Sequence, residues 1–306
     1  MWPGSLLAIA ELPASDLALL LDIAQAQKAV PDGPHRCACE GRTLALLFEK
    51  PSLRTRVSFE LAMRRLGGEA LYLSPAEVGL GKREPVKDVA RVLGGYCDVI
   101  ACRTFDQEIL VELAEWSGVP VINALSDWEH PCQALADLLT MREQLGDTAG
   151  RTLAYIGDGN NVARSLALAA TSAGMHMRLA SPRGYGLDEA SAAAASKRGA
   201  ESGGTVRLLE DPREAVAGAD VVYTDVWTSM GQEEAAAARR KAFDGYQVTA
   251  ELLTLAGPEA IVMHDLPAHR GEEITDEAIE SDRSVVFAQA QNRMHAQQAL
   301  LWHLLR

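Results

Sequence analysis

Ser52, Arg54, Thr55 and Arg56 lie in one short stretch, FEKPSLRTRVSFE. Two hydroxyls and two guanidiniums so close together suit a multiply charged oxyanion such as phosphate. Polar chemistry concentrates in four more places. Arg103 ends an apolar run, and His130 and Gln133 stand one helical turn apart in HPCQ, so they share a face. Asp225 and Ser229 set an acid and a hydroxyl beside Gly231 in DVWTSMG. In MHDLPAHRG, residues 263–271, Leu266-Pro267 is a candidate cis bond that aims backbone carbonyls. Each group also has a plain structural reading: a solvated turn, a capping histidine, a turn with a core Trp and Met, a Pro-bearing loop.

The first group is positioned by its flanks. Leu44, Ala45, Leu46, Leu47 and Phe48 read as a buried strand that breaks at Pro51, and Ser52 is the natural N-cap of a helix beyond it. Phe59, Ala62, Met63 and Leu66 recur at helical spacing and Gly67-Gly68 ends the pattern. Arg54 and Arg56 then sit in the first turn, where the helix dipole favours an acid by roughly 0.3–1 kcal/mol. Something anionic must offset them, which makes the turn a phosphate seat.

Composition sets the frame. With 306 residues, 48% of them apolar, the chain has material for two modest cores, and no run approaches the ~18 apolar residues of a membrane span. A net charge of −13 disfavours nucleic acid and anionic membrane as partners, and makes a basic helix start stand out. Five cysteines at irregular spacing fit reduced thiols, and His35, Cys37 and Cys39 lack the second Cys/His pair of a zinc site, so no metal is expected. The start, MWPGSLLAIAELPASD, has no basic n-region and no Arg-rich amphipathic pattern, so the expected location is the cytoplasm.

Along the chain, strand and helix patterns alternate: helix 17–29, strands 43–48 and 70–73, a mobile loop 74–85, helix 88–94, strand 99–103, helix 107–117, strand 119–123 and a linking helix 130–145. After Gly146-Asp147 the alternation resumes with strands 152–156, 176–180, 205–208, 220–224 and 260–264, separated by helices 161–173, 188–199, 212–217 and 249–255. A closing helix, 293–305, could pack back on the first half. The fold class is therefore α/β, with two domains that are each a parallel sheet flanked by helices. Residues 1–147 with 288–306 form the first and 148–287 the second. The turn YIGDGNN, 155–161, invites a dinucleotide reading but lacks the third glycine and a ribose-binding acid, so no such cofactor is expected.

Taken together, FEKPSLRTRVSFE, INALSDWEHPCQALADLLT, YIGDGNNVARSL, TDVWTSMGQE, HDLPAHRGEEIT and QNRMHAQ resemble, in that order and across essentially the whole chain, the transcarbamylases. The D-x-x-x-S-M-G block marks their ornithine branch. The resemblance implies transfer of the carbamoyl group of carbamoyl phosphate to the δ-amine of L-ornithine, without metal or organic cofactor, in a homotrimer or a higher multiple. It implies that Ser52, the Leu53 backbone, Arg54, Thr55 and Arg293 hold the phosphate, and Arg103 and His130 the carbonyl oxygen. Gln133 and the Leu266 carbonyl would hold the carbamoyl amide, and Asn161, Asp225, Ser229 and Met230 the ornithine. Two positions depart from the pattern. The family has Cys where Asp265 stands, beside the amino acid substrate, and often Gln where Gly79 stands, a role that Lys82 or another loop residue would take. The alternatives are a transcarbamylase for another amine, such as putrescine or a modified ornithine, and a weakened homologue acting as a binding or regulatory subunit.

Overall fold

The computed structural model describes residues 4–80, 83–229, 231 and 233–306, side chains at Glu77 and Glu233 excepted. The chain forms two compact units, Met1–Leu139 with Gln291–Arg306, and Thr140–Ala290.

The first unit is built on a four-stranded parallel sheet of β1 (Thr43–Phe48), β2 (Glu69–Leu73), β3 (Val99–Arg103) and β4 (Val121–Leu125), in the order β2-β1-β3-β4. β1 and β3 are continuous apolar runs because helices cover both faces of such a sheet. Leu47, Ile100, Cys102, Leu110 and Leu113 share one core cluster. The order reverses between β1 and β3, and Phe48 is in register with Arg103. The segments leaving these two strands therefore emerge side by side, where open parallel sheets take ligands.

The second unit repeats the logic with β5 (Thr152–Ile156), β6 (His176–Ala180), β7 (Thr205–Leu209), β8 (Val221–Thr224) and β9 (Ile261–His264), in the order β7-β6-β5-β8-β9. Ile156 pairs with Thr224 and Thr224 with His264, so Gly157, Asp225 and Asp265 begin three adjacent loops.

The linking helix, Pro131–Leu145, starts in the first unit and ends in the second, and the closing helix, Val286–Leu305, does the reverse. The closing helix starts at Val286, seven residues before Arg293: Val286 is fully buried in the second unit's core while its neighbour Phe287 is 56% exposed, so this first turn adds a single apolar anchor that carries no periodic signal. Lys28 Nζ donates to Asn292 Oδ1 at 2.7 Å inside the first unit. Two further expectations need correction. The strand expected at 119–123 lies at Val121–Leu125, and a helix at Ala236–Ala242 fills a stretch to which no element was assigned. The segment 74–85 contains a short helix, Pro75–Val78, and Gly79 has φ +58, while Lys82 lies outside the described residues.

Candidate active site

In the first unit the helix Leu53–Arg65 begins as its sequence indicates. Ser52 is extended (φ −156) and its Oγ accepts from the Thr55 backbone N–H at 3.3 Å. Phe59, Ala62 and Met63 are fully buried, each large apolar side chain contributing about 1.5–3 kcal/mol. The two arginines of the first turn separate in role. Arg56 pairs with Glu60 one turn on, at 2.7 Å, and lies 4.0 Å over the Tyr72 ring, so its charge is answered locally. Arg54 keeps a buried Nε with no hydrogen-bond partner among the described residues. Only Arg54 therefore remains for an anion.

Thr55 is wholly buried, and its Oγ1 accepts from Ser52 Oγ at 2.9 Å and from Arg293 Nη2 at 2.7 Å. Arg293 in turn lies close to His130, as does Arg103. Burial, then the Arg293 and Arg103 guanidiniums, hold the His130 imidazole well below its usual pKa, so it is neutral near pH 7. Gln133, one turn along, donates its amide to Asp137 Oδ1 at 2.8 Å. An ionised carboxylate only accepts, so the amide nitrogen must face it. That leaves the buried Gln133 Oε1, which has no partner among the described residues, as an acceptor.

Lys50 was not singled out by sequence, since a lysine in a loop carries no local signal. It is 4% exposed, 2.5 Å from Asp127 Oδ1 and 3.7 Å above the Phe105 ring. Glu49 accepts from Thr104 Oγ1, and its own N–H donates to the Arg103 carbonyl at 2.8 Å. These contacts tie the loop before Ser52 to the loops after β3 and β4.

In the second unit Asp225 is 5% exposed, and each oxygen takes a donor: Asn160 Nδ2 at 2.7 Å on Oδ2 and the Val226 N–H at 2.6 Å on Oδ1. Asn160 Oδ1 also caps the helix Asn161–Ser172, accepting from Val162 and Ala163 at 3.0 Å each. Asn160, which the sequence did not single out, thus meets Asp225. Asn161 Oδ1 accepts from Val162 N at 3.1 Å. Ser229 is half-buried in the loop after β8, and Met230 lies outside the described residues. Leu266-Pro267 is cis, and Leu266 has φ +59.

His264 and Glu273, which sequence reasoning passed over, are both fully buried, with His264 Nε2 2.9 Å from Glu273 Oε1. His264 Nδ1 is 2.9 Å from the Leu266 N–H, a contact that needs a lone pair, and 3.3 Å from Asp265 Oδ1, which needs a proton. Burial opposes charge on the ring, but hydrogen bonds to Asp265 and Glu273 and the charges of Asp265 and Asp225 outweigh it and push the pKa up to about 10. Protonated near neutrality, the ring donates towards Asp265 and Glu273 and has no lone pair for a metal, although Asp225, His264 and Asp265 cluster within 4.8 Å; it can accept from the Leu266 N–H only when neutral.

The GDG turn is packed by protein where a dinucleotide would approach. The Gly159 N–H donates to the Tyr185 carbonyl at 2.7 Å, and a Cβ on Gly159 would lie 2.3 Å from the Gly186 carbonyl carbon. This glycine serves close backbone packing.

The comparisons with known proteins cover both units. Residues 5–143 match the family model for the carbamoyl-P binding domain of aspartate/ornithine carbamoyltransferase, and residues 149–304 match its Asp/Orn binding domain. The chain is 51% identical over 304 residues to an ornithine carbamoyltransferase of Parasynechococcus marenigrum, covering 98% of this chain and 93% of that one. It is 53% identical over 268 residues to an anabolic ornithine carbamoyltransferase of Pyrococcus furiosus, covering 88% of this chain and 85% of that one. The solved structure of ornithine carbamoyltransferase from Pyrococcus furiosus superposes with a TM-score of 0.94 at 49% identity, covering 97% and 95% of the two chains. With both family models matched and the similarity running over almost the whole chain, the chain belongs to the aspartate/ornithine carbamoyltransferase family.

Proposed function

We propose that this chain transfers the carbamoyl group of carbamoyl phosphate to the δ-amine of L-ornithine, giving L-citrulline and phosphate, as a step of arginine biosynthesis. The observation that carries the reading is the buried set Thr55, Arg293, His130 and Arg103 beside the Arg54 turn: fixed cations, a hydroxyl and a neutral imidazole in one unit. Residues 1–147 with 288–306 serve carbamoyl phosphate and residues 148–287 serve ornithine, and transfer requires both substrates to be held at once.

Ser52, the Leu53 N–H, Arg54, Thr55 and Arg293 take the phosphate oxygens. Gln133 Oε1 and the Leu266 carbonyl accept from the carbamoyl NH2 and so fix which way its C=O points. Arg103 and His130 face that oxygen. Attack by the neutral δ-amine forms the C–N bond and places negative charge on the carbonyl oxygen, where each preorganised donor is worth about 2.7–4 kcal/mol. Collapse breaks the C–O bond to phosphate, and the amine proton leaves with the departing phosphate. Asn161, Asp225, Ser229, Met230 and Asp265 hold the amino acid. Every step is charge and proton handling, so the scheme calls for no cofactor.

The assembly we assign is a homotrimer or a higher multiple. It is supported by Leu53, Val57 and Leu61, which line one face of their helix at 76%, 42% and 43% exposure. The cytoplasm is the location we assign, on the strength of the free thiols of Cys37, Cys39, Cys97, Cys102 and Cys132.

Calorimetry tests the phosphate seat. Arg54→Ala is expected to weaken carbamoyl phosphate binding by at least ~2 kcal/mol, the range for truncating one partner of a desolvated charge pair. An unchanged dissociation constant would remove Arg54 from the site.

A further inference from the structure

Asp225 and Asp265 follow β8 and β9 directly, at positions brought level by the pairing of Thr224 with His264. Their carboxylates lie within 4.8 Å of each other, and both are largely withdrawn from solvent, Asp225 at 5% and the Asp265 side chain at 13% exposure. The groups acting on Asp225 among the described residues are Asp265 and His264 from the β9 end and the neutral amide of Asn160. Glu273 stands behind His264 and is itself an acid. Among the described residues, three carboxylates thus adjoin one imidazolium. Two carboxylates this close in a dry site cannot both ionise unless a further cation arrives.

We propose that in the free protein one proton bridges Asp225 and Asp265, and that the α-ammonium of the amino acid substrate displaces it, making Asp265 a specificity-determining residue of this chain. The proposal rests on the carbamoyl-transfer reading for the identity of the amino acid. The α-amine is assigned because the δ-amine must be neutral to attack, and an acid pair beside it would hold it charged. Burial, then the charge of Asp265, holds the Asp225 carboxyl well above the usual carboxylate range, in keeping with a shared proton. The exchange balances: one ammonium enters, one proton leaves to solvent, and the net charge of the pair with its cation is unchanged. Below the titration of the pair, ornithine binding weakens about tenfold per pH unit, because each binding event must expel a proton.

The probe is L-norvaline, which has the α-ammonium and chain length of ornithine but no δ-amine, so carbamoyl phosphate is not consumed by transfer. Titration calorimetry is run with saturating carbamoyl phosphate at pH 6.5, in two buffers of different ionisation enthalpy. The parent is expected to release about one proton per site, and Asp265→Asn close to none, because an amide cannot share the proton. Asp265→Cys, the residue of the family pattern, serves as a second variant and is expected to behave like Asp265→Asn. Buffer-independent heats in the parent, equal release by parent and variants, or failure of norvaline to bind would each overturn the proposal. Citrulline formation is measured on the same preparation. Its absence would sink the transfer reading while leaving the proton count to stand or fall separately.

Discussion

Arg293 Nη2 donates to Thr55 Oγ1 at 2.7 Å, joining residues 238 positions apart. Thr55 is in the first turn of the helix after β1, and Arg293 is on the closing helix. The phosphate seat we propose is therefore completed by a side chain from the closing helix. Arg293→Met is expected to raise the KM for carbamoyl phosphate by roughly 10- to 100-fold, since hydrogen bonds to charged groups are worth about 1.5–3 kcal/mol. It also removes one of the charges that keep His130 neutral, so the His130 titration, followed by NMR, should move up in pH. A His130 titration unmoved by the substitution would contradict the placement.

Gln133 is oriented by Asp137. Replacing Asp137 with Ala frees the amide to flip, and turnover should fall about tenfold or more through loss of orientation. Binding of inorganic phosphate, which has no carbamoyl amide, should be unchanged. Equal losses for both ligands would show that Asp137 supports the unit as a whole instead.

The two buried histidines limit stability from opposite sides. His130 has a depressed pKa, so the folded state resists a proton that the unfolded state accepts, and stability is lost as pH falls below the unfolded value of about 6.5. His264 has its pKa raised to about 10, so its contribution is fully present below about pH 6.5 and is lost as pH climbs from there towards 10. Glu273→Gln removes one of the acids that hold the imidazolium, and should cost about 3–5 kcal/mol at neutral pH, the range for breaking a buried ion pair. Its melting temperature should also depend less on alkaline pH than the parent's. Parallel melting curves across pH 6.5 to 10 would rule this out.

Gly159→Ala should destabilise the second unit by about 1–3 kcal/mol, because the new methyl meets the Gly186 backbone rather than a movable side chain. NAD should bind neither form. Saturable micromolar NAD binding by the parent would reverse the reading of the turn.

Much of this architecture is written locally, and the parts that are not share one cause. β1, β3 and β5 and the helix Gln107–Ser117 lie at their expected residues, because buried parallel strands and well-capped helices carry their signal within a few residues. The Ser52 cap and the unanswered charge of Arg54 were legible for the same reason. Lys50, Asp137, His264 and Glu273 were not. What makes each of them notable is a partner or a burial that only the fold supplies: Asp127 for Lys50, Gln133 for Asp137, and each other for His264 and Glu273. Arg56 was misjudged beside Arg54, because its answer, Glu60, is a turn further along the helix. Asp265 drew attention as a departure from a family pattern, but that it adjoins a second acid and an imidazolium follows from the register of β8 and β9.

The central claim is the reaction itself. Carbamoyl phosphate is offered with L-ornithine, putrescine, L-lysine and L-aspartate in parallel, and both phosphate release and the carbamoylated product are measured. Citrulline and phosphate are expected in equal amounts with ornithine, and rates at least about tenfold lower with the other three amines. Faster carbamoylation of another amine, or phosphate release without citrulline, would contradict it.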